Sequence, residues 1–477
     1  MTPGDRRDEG APRRAGAPLP DPPAWAQLCD VLVVLLVTLG AAVAITGGIR
    51  ERIAGGPMVS FRSPWRPVLV ALLVALLRHA VTRRPALHER VADGFRQLWA
   101  SVAHVAWPLL YAAAVALFLT SVLADRRPDT GLTAFIQFGD KFDAQALPAV
   151  REVPHYVHQD SWGYDGQFYV QLAVDPWLRD PDLRQALDAP SYRARRILFS
   201  WTAYTLGLGR PSWVLQIYAW QNIVAWLLLA VVLLRWCPPG NARHFAVWVS
   251  CLFSTGMLAS VRLALTDGPS MLLIGCAVAA VERGRTGLAT CVVALAGLGR
   301  ETNLLAAVAL PPPRDAQVGT QRRCVVTGLL MVLPLAAWMA YVRLTLGAAD
   351  AGIETLAMPL RGYLQKWSVT VAELGRAGWW SDARFSVYAL VGFTVQAGFL
   401  LVRWRLWPTS PWWRVGLAYA ALMAVAGASV WDGHPGAITR VVVPLMVAFN
   451  VVILRERRFW PLLLLGNLGC VEEVWFL

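Results

Sequence analysis

The sequence predicts an all-α polytopic membrane protein with about 12 transmembrane helices and one large extracytoplasmic loop after the third. Three observations carry that expectation. Hydrophobic residues make up 56% of the 477 positions and charged residues only 16%, where a soluble chain carries about 25% charge. The apolar residues fall into runs close to the roughly 20 that a bilayer core requires. Arginines gather in short segments between alternate pairs of runs, as orienting charges do. So little charge cannot cover the outside of soluble domains, and the same numbers exclude a disordered chain or a secreted disulfide scaffold.

The net charge of +13 comes from 42 Arg and two Lys against 31 acids. The arginines are dispersed between apolar runs rather than gathered in one patch, so no nucleic-acid partner is expected. The seven cysteines (Cys29, Cys237, Cys251, Cys276, Cys291, Cys324, Cys470) form no Cys-x-x-Cys pair. Nearly all lie in or beside apolar runs, where a thiol acts as a small hydrophobe.

In chain order, residues 1–24 are rich in Pro, Gly, Arg and Asp and read as a disordered tail. Residues 25–99 hold two N-terminal membrane helices and a cytoplasmic loop. Val31 to Thr46 is longer than a signal-peptide core and lacks a small-residue cleavage site, so it remains a helix. Residues 100–454 form the main membrane domain, and 455–477 an apolar C-terminal segment. The apolar runs are 26–48, 67–82, 100–123, 213–234, 244–263, 268–282, 286–299, 324–347, 384–402, 412–430, 437–454 and 459–477. Ile197 to Leu208 is too short to span and reads as re-entrant or interfacial, and 303–312 as a short return after 286–299.

With the N-terminus inside, Arg78, Arg83, Arg84, Arg90 and Arg96 fall in an inside loop. The later clusters then fall on the same side: Arg235 and Arg243, Arg283 and Arg285, Arg314 with Arg322 and Arg323, Arg403 with Arg405 and Arg414, and Arg455 with Arg457 and Arg458. The opposite face receives the loop 124–195, with ten Asp, one Glu and eight basic residues. It also receives Thr266-Asp267-Gly268-Pro269, Arg300-Glu301-Thr302-Asn303, the segment 348–383, and Trp431-Asp432-Gly433-His434 through Arg440. Acids and arginines from distant parts of the chain thus converge on one side.

The most distinctive stretch is Gly163-Tyr164-Asp165-Gly166-Gln167-Phe168-Tyr169, followed by Asp175-Pro176 and Tyr192-Arg193-Ala194-Arg195-Arg196-Ile197-Leu198. Asp165 reads either as the cap of a short helix 167–173 or as a carboxylate held close to a ligand and used as a base. Arg195 and Arg196 stand where the outer loop re-enters the membrane, either snorkelling to headgroups or holding a phosphate with a planar fork. Arg300-Glu301 is a buried ion pair or a helix-end stop. Thr266 reads as a helix cap with proline in the first turn. Arg440, just inside an apolar helix, is a further phosphate candidate. His155-x-x-His158-x-Asp160 has spacing suited to a divalent metal but no closing ligand, and no metal site is assigned. Most of the 23 Trp stand near helix ends, as in Trp379-Trp380 and Trp412-Trp413, and read as interface anchors. Trp162, beside the Asp-Gly-Gln stretch, is also a candidate stacking surface for the ring of a bound substrate. Residues 351–380 suggest an amphipathic helix on the outer surface.

Asp-Gly-Gln-Phe-Tyr before Leu-Ala-x-Asp-Pro, then Tyr-Arg-x-Arg-Arg-Ile-Leu, Leu-Thr-Asp-Gly-Pro and Arg-Glu-Thr together resemble bacterial membrane proteins related to the GT-C class glycosyltransferases. The resemblance covers about residues 100–450. It implies transfer of a sugar from a polyprenyl-phosphate carrier on the extracytoplasmic side of the inner membrane, with an outer-loop carboxylate as base or metal-orienting group. That role falls on Asp165, with Asp160 and Asp140 as further candidates. Arg195, Arg196, Arg300 and Arg440 would contact the lipid phosphate, Gln167 would position the sugar, and the acceptor stays open among lipid, glycan and protein. One departure stands out: the catalytic loop of that class follows the first membrane helix, here the third. Three rival readings remain: a transporter or flippase of lipid-linked sugars, a polymerase or ligase of surface polysaccharide, and a non-catalytic assembly factor. A transporter would show repeated halves and mid-membrane charges, and the chain shows no internal repeat.

Overall fold

The computed structural model describes residues 22–46, 49–52, 58–61, 64–82, 86–311, 318–347, 356–433 and 437–469. It forms two compact units, residues 1–106 and 107–477.

In the first unit α1 (Ala24–Thr46) leads through an antiparallel hairpin, β1 (Ile49–Arg52) with β2 (Met58–Phe61), into α2 (Trp65–Val81). At Gly40 the two helices meet so closely that a Cβ would lie 2.6 Å from Cγ2 of Val68. Leu28, Leu35, Leu73 and Leu77 stand exposed, the outward apolar face of a bilayer helix. Arg78 is not the loop charge that the sequence suggests. It lies on α2, fully buried, with Nε 2.8 Å from the Asp30 carboxylate of α1, and Arg90 approaches the same carboxylate at 3.6 Å. Arg90 and Arg96 belong to α3 (Leu87–Ala124), which starts well before the apolar run. Arg83, Arg84 and most of the expected tail lie outside the described residues.

The second unit begins within α3. The loop after it packs into the same core as the helices that follow. β3 (Phe138–Gly139) pairs in parallel with β4 (Val157–His158), with α4 (Asp140–Asp143) and α5 (Pro148–Arg151) between them in sequence. α6 (Asp165–Val174) is buried from Gly166 to Ala173, and α7 (Pro190–Ala194) closes the loop. α8 (Leu198–Leu206) has nine residues, too short to span, as expected.

The apolar runs then appear as α9 (Pro211–Leu233), α10 (Ala242–Leu252), α11 (Thr255–Arg262), α12 (Asp267–Glu282) and α13 (Thr286–Gly299). A 3-10 helix, Glu301–Ala309, is the short return after α13, and Asn303 Nδ2 donates back to the Ala296 carbonyl at 2.9 Å. α14 (Val318–Leu346) follows, then α15 (Arg361–Ala377), the expected amphipathic helix, and α16 (Ala383–Val402). The chain ends through α17 (Pro411–Ala424), α18 (Ala428–Trp431), α19 (Ile438–Val441), α20 (Val443–Ile453) and α21 (Pro461–Gly466).

Five of these helices are long and apolar enough to cross a membrane, and six if α10 and α11, bent by 45°, form one span. The chain is an all-α multi-pass membrane protein. The runs at 268–282 and 286–299 form short helices flanked by Asp267 and Arg300, and those at 412–430 and 437–454 are each broken into two shorter helices. The Trp412-Trp413 pair is buried rather than interfacial, while Trp379 and Trp380 are exposed. Inside the second unit, Trp226 Nε1 donates to the Leu252 carbonyl and Trp248 Nε1 to the Ala230 carbonyl, both at 2.9 Å, so each indole N–H is satisfied.

Candidate functional site

α6 starts with Asp165, after Tyr164 in extended backbone. Its start is pressed into the protein at Gly166, where a Cβ would lie 2.7 Å from the Leu263 carbonyl and 2.8 Å from that of Ile136. Gly163, at φ +74°, makes the turn before it, a conformation only glycine adopts without strain. The Asp165 carboxylate does not cap the helix. It turns to Arg193 on α7, 2.9 Å away, and to Arg440 on α19, 3.6 Å away. Burial pushes this carboxyl up, but Arg193 first and then Arg440 outweigh it and hold Asp165 below the usual range.

Arg193 also forks onto Asp188 at 2.9 and 2.7 Å, so one guanidinium joins two aspartates. Arg196 makes a two-pronged pair with Glu301, both contacts 3.0 Å, and donates to the hydroxyls of Tyr169 (3.0 Å) and Tyr192 (2.9 Å). Arg300, in extended backbone at the end of α13, pairs with Asp267 at the start of α12. The Thr266 side chain makes no cap. Ser260 Oγ of α11 takes the Gly268 N–H instead, at 2.7 Å, and Asp267 is left to face Arg300. The adjacent Arg300 and Glu301 therefore pair with different partners.

These groups surround a cavity of about 230 Å³, with Asp165, Tyr169, Tyr192, Arg196, Asp267, Arg300 and Arg440 in its wall. Among the described residues the wall holds three arginines against two aspartates. Nε of Arg300 is buried without an acceptor, and the Arg440 guanidinium lies 5.3 Å from the Tyr164 ring centre. Such a concave, cationic, aromatic-edged space suits a phosphate on a group small enough to enter.

Asp165, Arg196, Arg300 and Arg440 are thus brought together as the sequence suggests. Arg195 is beside them but not in the wall: its guanidinium lies 4.7 Å from the Tyr192 ring centre, with Nε and one terminal nitrogen buried and without an acceptor. Gln167 does not face the cavity. Its Oε1 accepts from the Gly139 N–H (3.2 Å) and its Nε2 donates to the Trp162 carbonyl (2.8 Å), so it clamps the loop. Trp162 itself is 68% exposed and outside the wall. Asp160 is exposed, at φ +54°, and its N–H donates to Asp140 at 3.1 Å. Asp140 also takes the Ser161 N–H at 2.9 Å, and these backbone bonds lower its pKa. Both expected alternatives to Asp165 therefore serve a turn.

His155 contacts the Val153 carbonyl (2.7 Å) and Asp143 (3.2 Å), and His158 the Ala134 carbonyl (3.0 Å). Among the described residues no group of three or more His, Cys, Asp or Glu is arranged to hold a metal ion. His434 lies outside the described residues.

Sequence reasoning missed Arg193, Asp188, Asp267, Glu301, Tyr169 and Tyr192 as members of the cluster. Arg193 and Tyr192 stand inside the Tyr-Arg-x-Arg-Arg motif, and Asp267 inside Thr-Asp-Gly-Pro, where the helix-cap pattern hid it. No family model, curated protein or solved structure matches this chain.

Proposed function

We propose that the protein is a glycosyltransferase of the GT-C type, moving a sugar from a polyprenyl-phosphate carrier to an acceptor hydroxyl. In this reading it lies in the inner membrane of a bacterium, with about twelve membrane segments and the cavity open to the extracytoplasmic side. The observation that carries the proposal is one carboxylate, Asp165, in the wall of a cavity it shares with Arg196, Arg300 and Arg440. Transfer needs that combination. The acceptor oxygen bonds to the anomeric carbon as the carbon–oxygen bond to phosphate breaks. Asp165 takes the acceptor proton, and the arginines stabilise the departing polyprenyl phosphate. A carboxylate held low by arginines is a weak base. A bound phosphate offsets those arginines and raises its basicity, so docking of the donor arms the base. The groups nearest Asp165 are the cations Arg193 and Arg440, which favours a base over a metal ligand at this carboxylate.

The rival is a purely structural ion-pair lattice, favoured by the match of Arg193, Arg196 and Arg300 with Asp188, Glu301 and Asp267. Polyprenyl phosphate, the shared product of all such donors, separates the two. At about 100 times its dissociation constant a ligand stabilises by about 2.7 kcal/mol. The melting temperature of wild type and of Asp165→Asn should rise with polyprenyl phosphate beyond a plain phospholipid control, and that of Arg440→Gln should not. No rise in wild type rejects the proposal.

A further inference from the structure

The 3-10 helix Glu301–Ala309 has the cavity at its start and a second, larger space at its end. This groove, about 1230 Å³, lies between α13, the end of the 3-10 helix and α14. It exceeds the roughly 300–1,000 Å³ of small-molecule pockets. Ala294, Leu295, Leu330 and Met331 give it apolar walls, and among the described residues the charged members of its lining are Arg322, Arg323 and Arg414, with no acid.

Arg414 is 97% buried, at 3% exposure. Its guanidinium donates to the carbonyls of Val308 (2.7 Å), Trp407 (2.8 Å) and Ala309, and so caps the end of the 3-10 helix. Hydrogen bonds to three carbonyls engage part of its five N–H groups but leave its charge unmatched. No carboxylate among the described residues pairs with Arg414, Arg322 or Arg323. Three cations that line one groove with apolar walls and have no carboxylate partner among the described residues are, in a membrane protein, complementary to an anion with long hydrocarbon chains.

We infer that this groove holds an anionic phospholipid of the surrounding bilayer, its phosphate on Arg322, Arg323 and Arg414 and its acyl chains along α13 and α14. The site is separate from the cavity at Asp165 and does not depend on the reading of that cavity.

The test uses the full chain in phosphatidylcholine, with the melting temperature followed as phosphatidylglycerol is added. Wild type should be stabilised by phosphatidylglycerol and not by further phosphatidylcholine. In Arg322→Gln/Arg323→Gln, both positions exposed, the apparent affinity should fall about thirtyfold. Gly328→Trp projects into the groove from a position where a Cβ meets no atom within 4 Å, and should abolish the response. Should the tryptophan variant not fold, the double glutamine variant decides alone. Asp165→Asn should respond as wild type does. Equal stabilisation by the neutral lipid, survival of the full response in Arg322→Gln/Arg323→Gln, loss of it in Asp165→Asn, or a response to polyprenyl phosphate alone would each overturn the inference.

Discussion

Asp165 is the residue on which the proposed chemistry turns, and its surroundings make two expectations definite. Asp165→Asn keeps the shape but cannot take a proton, so transfer from a polyprenyl-phosphate sugar should drop by at least about 10². The ion pairs of Asp165 also bear on stability. Its folded pKa is depressed, so its contribution is present above the ordinary aspartate value near 3.9 and is lost as pH falls through the folded value. The melting temperatures of wild type and Asp165→Asn should therefore differ most near neutral pH and converge in acid. Gln167 should behave in the opposite way. Gln167→Leu leaves the buried Gly139 N–H and the half-buried Trp162 carbonyl without partners, and the buried N–H alone costs about 1–3 kcal/mol. Thermal melting should register that loss, while the rise in melting temperature with polyprenyl phosphate persists in the folded fraction.

Among the elements, the site is made where helices stop. α12 begins at Asp267 and α13 ends at Arg300, and their pair ties two ends that the sequence separates by about 30 residues. Arg300→Leu strands the Asp267 charge and should destabilise by about 3–5 kcal/mol. Asp267→Leu with Arg300→Leu removes both charges and should recover most of that loss without recovering phosphate binding. Chemical denaturation of the two variants measures the difference. These short helices were legible as apolar runs, because composition alone marks them. Their breaks were less legible, since Thr266-Asp267-Gly268-Pro269 matches a helix start capped by Thr266 and gives no sign that Asp267 pairs across the cavity. Ser260 takes the place of Thr266 by supplying the cap from α11. The orienting arginines show the same ambiguity. Arg78 looks like a loop cation in the sequence and is a buried partner of Asp30 in the fold, because two helices packed at Gly40 bring the pair together.

For the whole molecule, the sidedness read from arginine spacing has a direct check. In cells, with exposed Cys291 and Cys324 replaced by Ser, Trp162→Cys should react with a membrane-impermeant thiol reagent, and Arg405→Cys only after permeabilisation. Reaction of both in intact cells would break the proposed topology. By itself the sequence determined that this is a helical membrane protein and roughly where its apolar segments run, and it singled out Asp165, Arg196, Arg300 and Arg440 as candidate site residues. Those properties are local: hydropathy, charge and turn chemistry act over a few residues. Only the tertiary structure decided that Asp165 faces Arg193 and Arg440, that Glu301 belongs to Arg196 and not to its neighbour Arg300, and that Gln167 and Asp140 serve the loop rather than the cavity. The physical reason is that a charged side chain reaches only a few ångströms. Its partner is therefore set by which helix ends meet in space, and spacing along the chain does not record that.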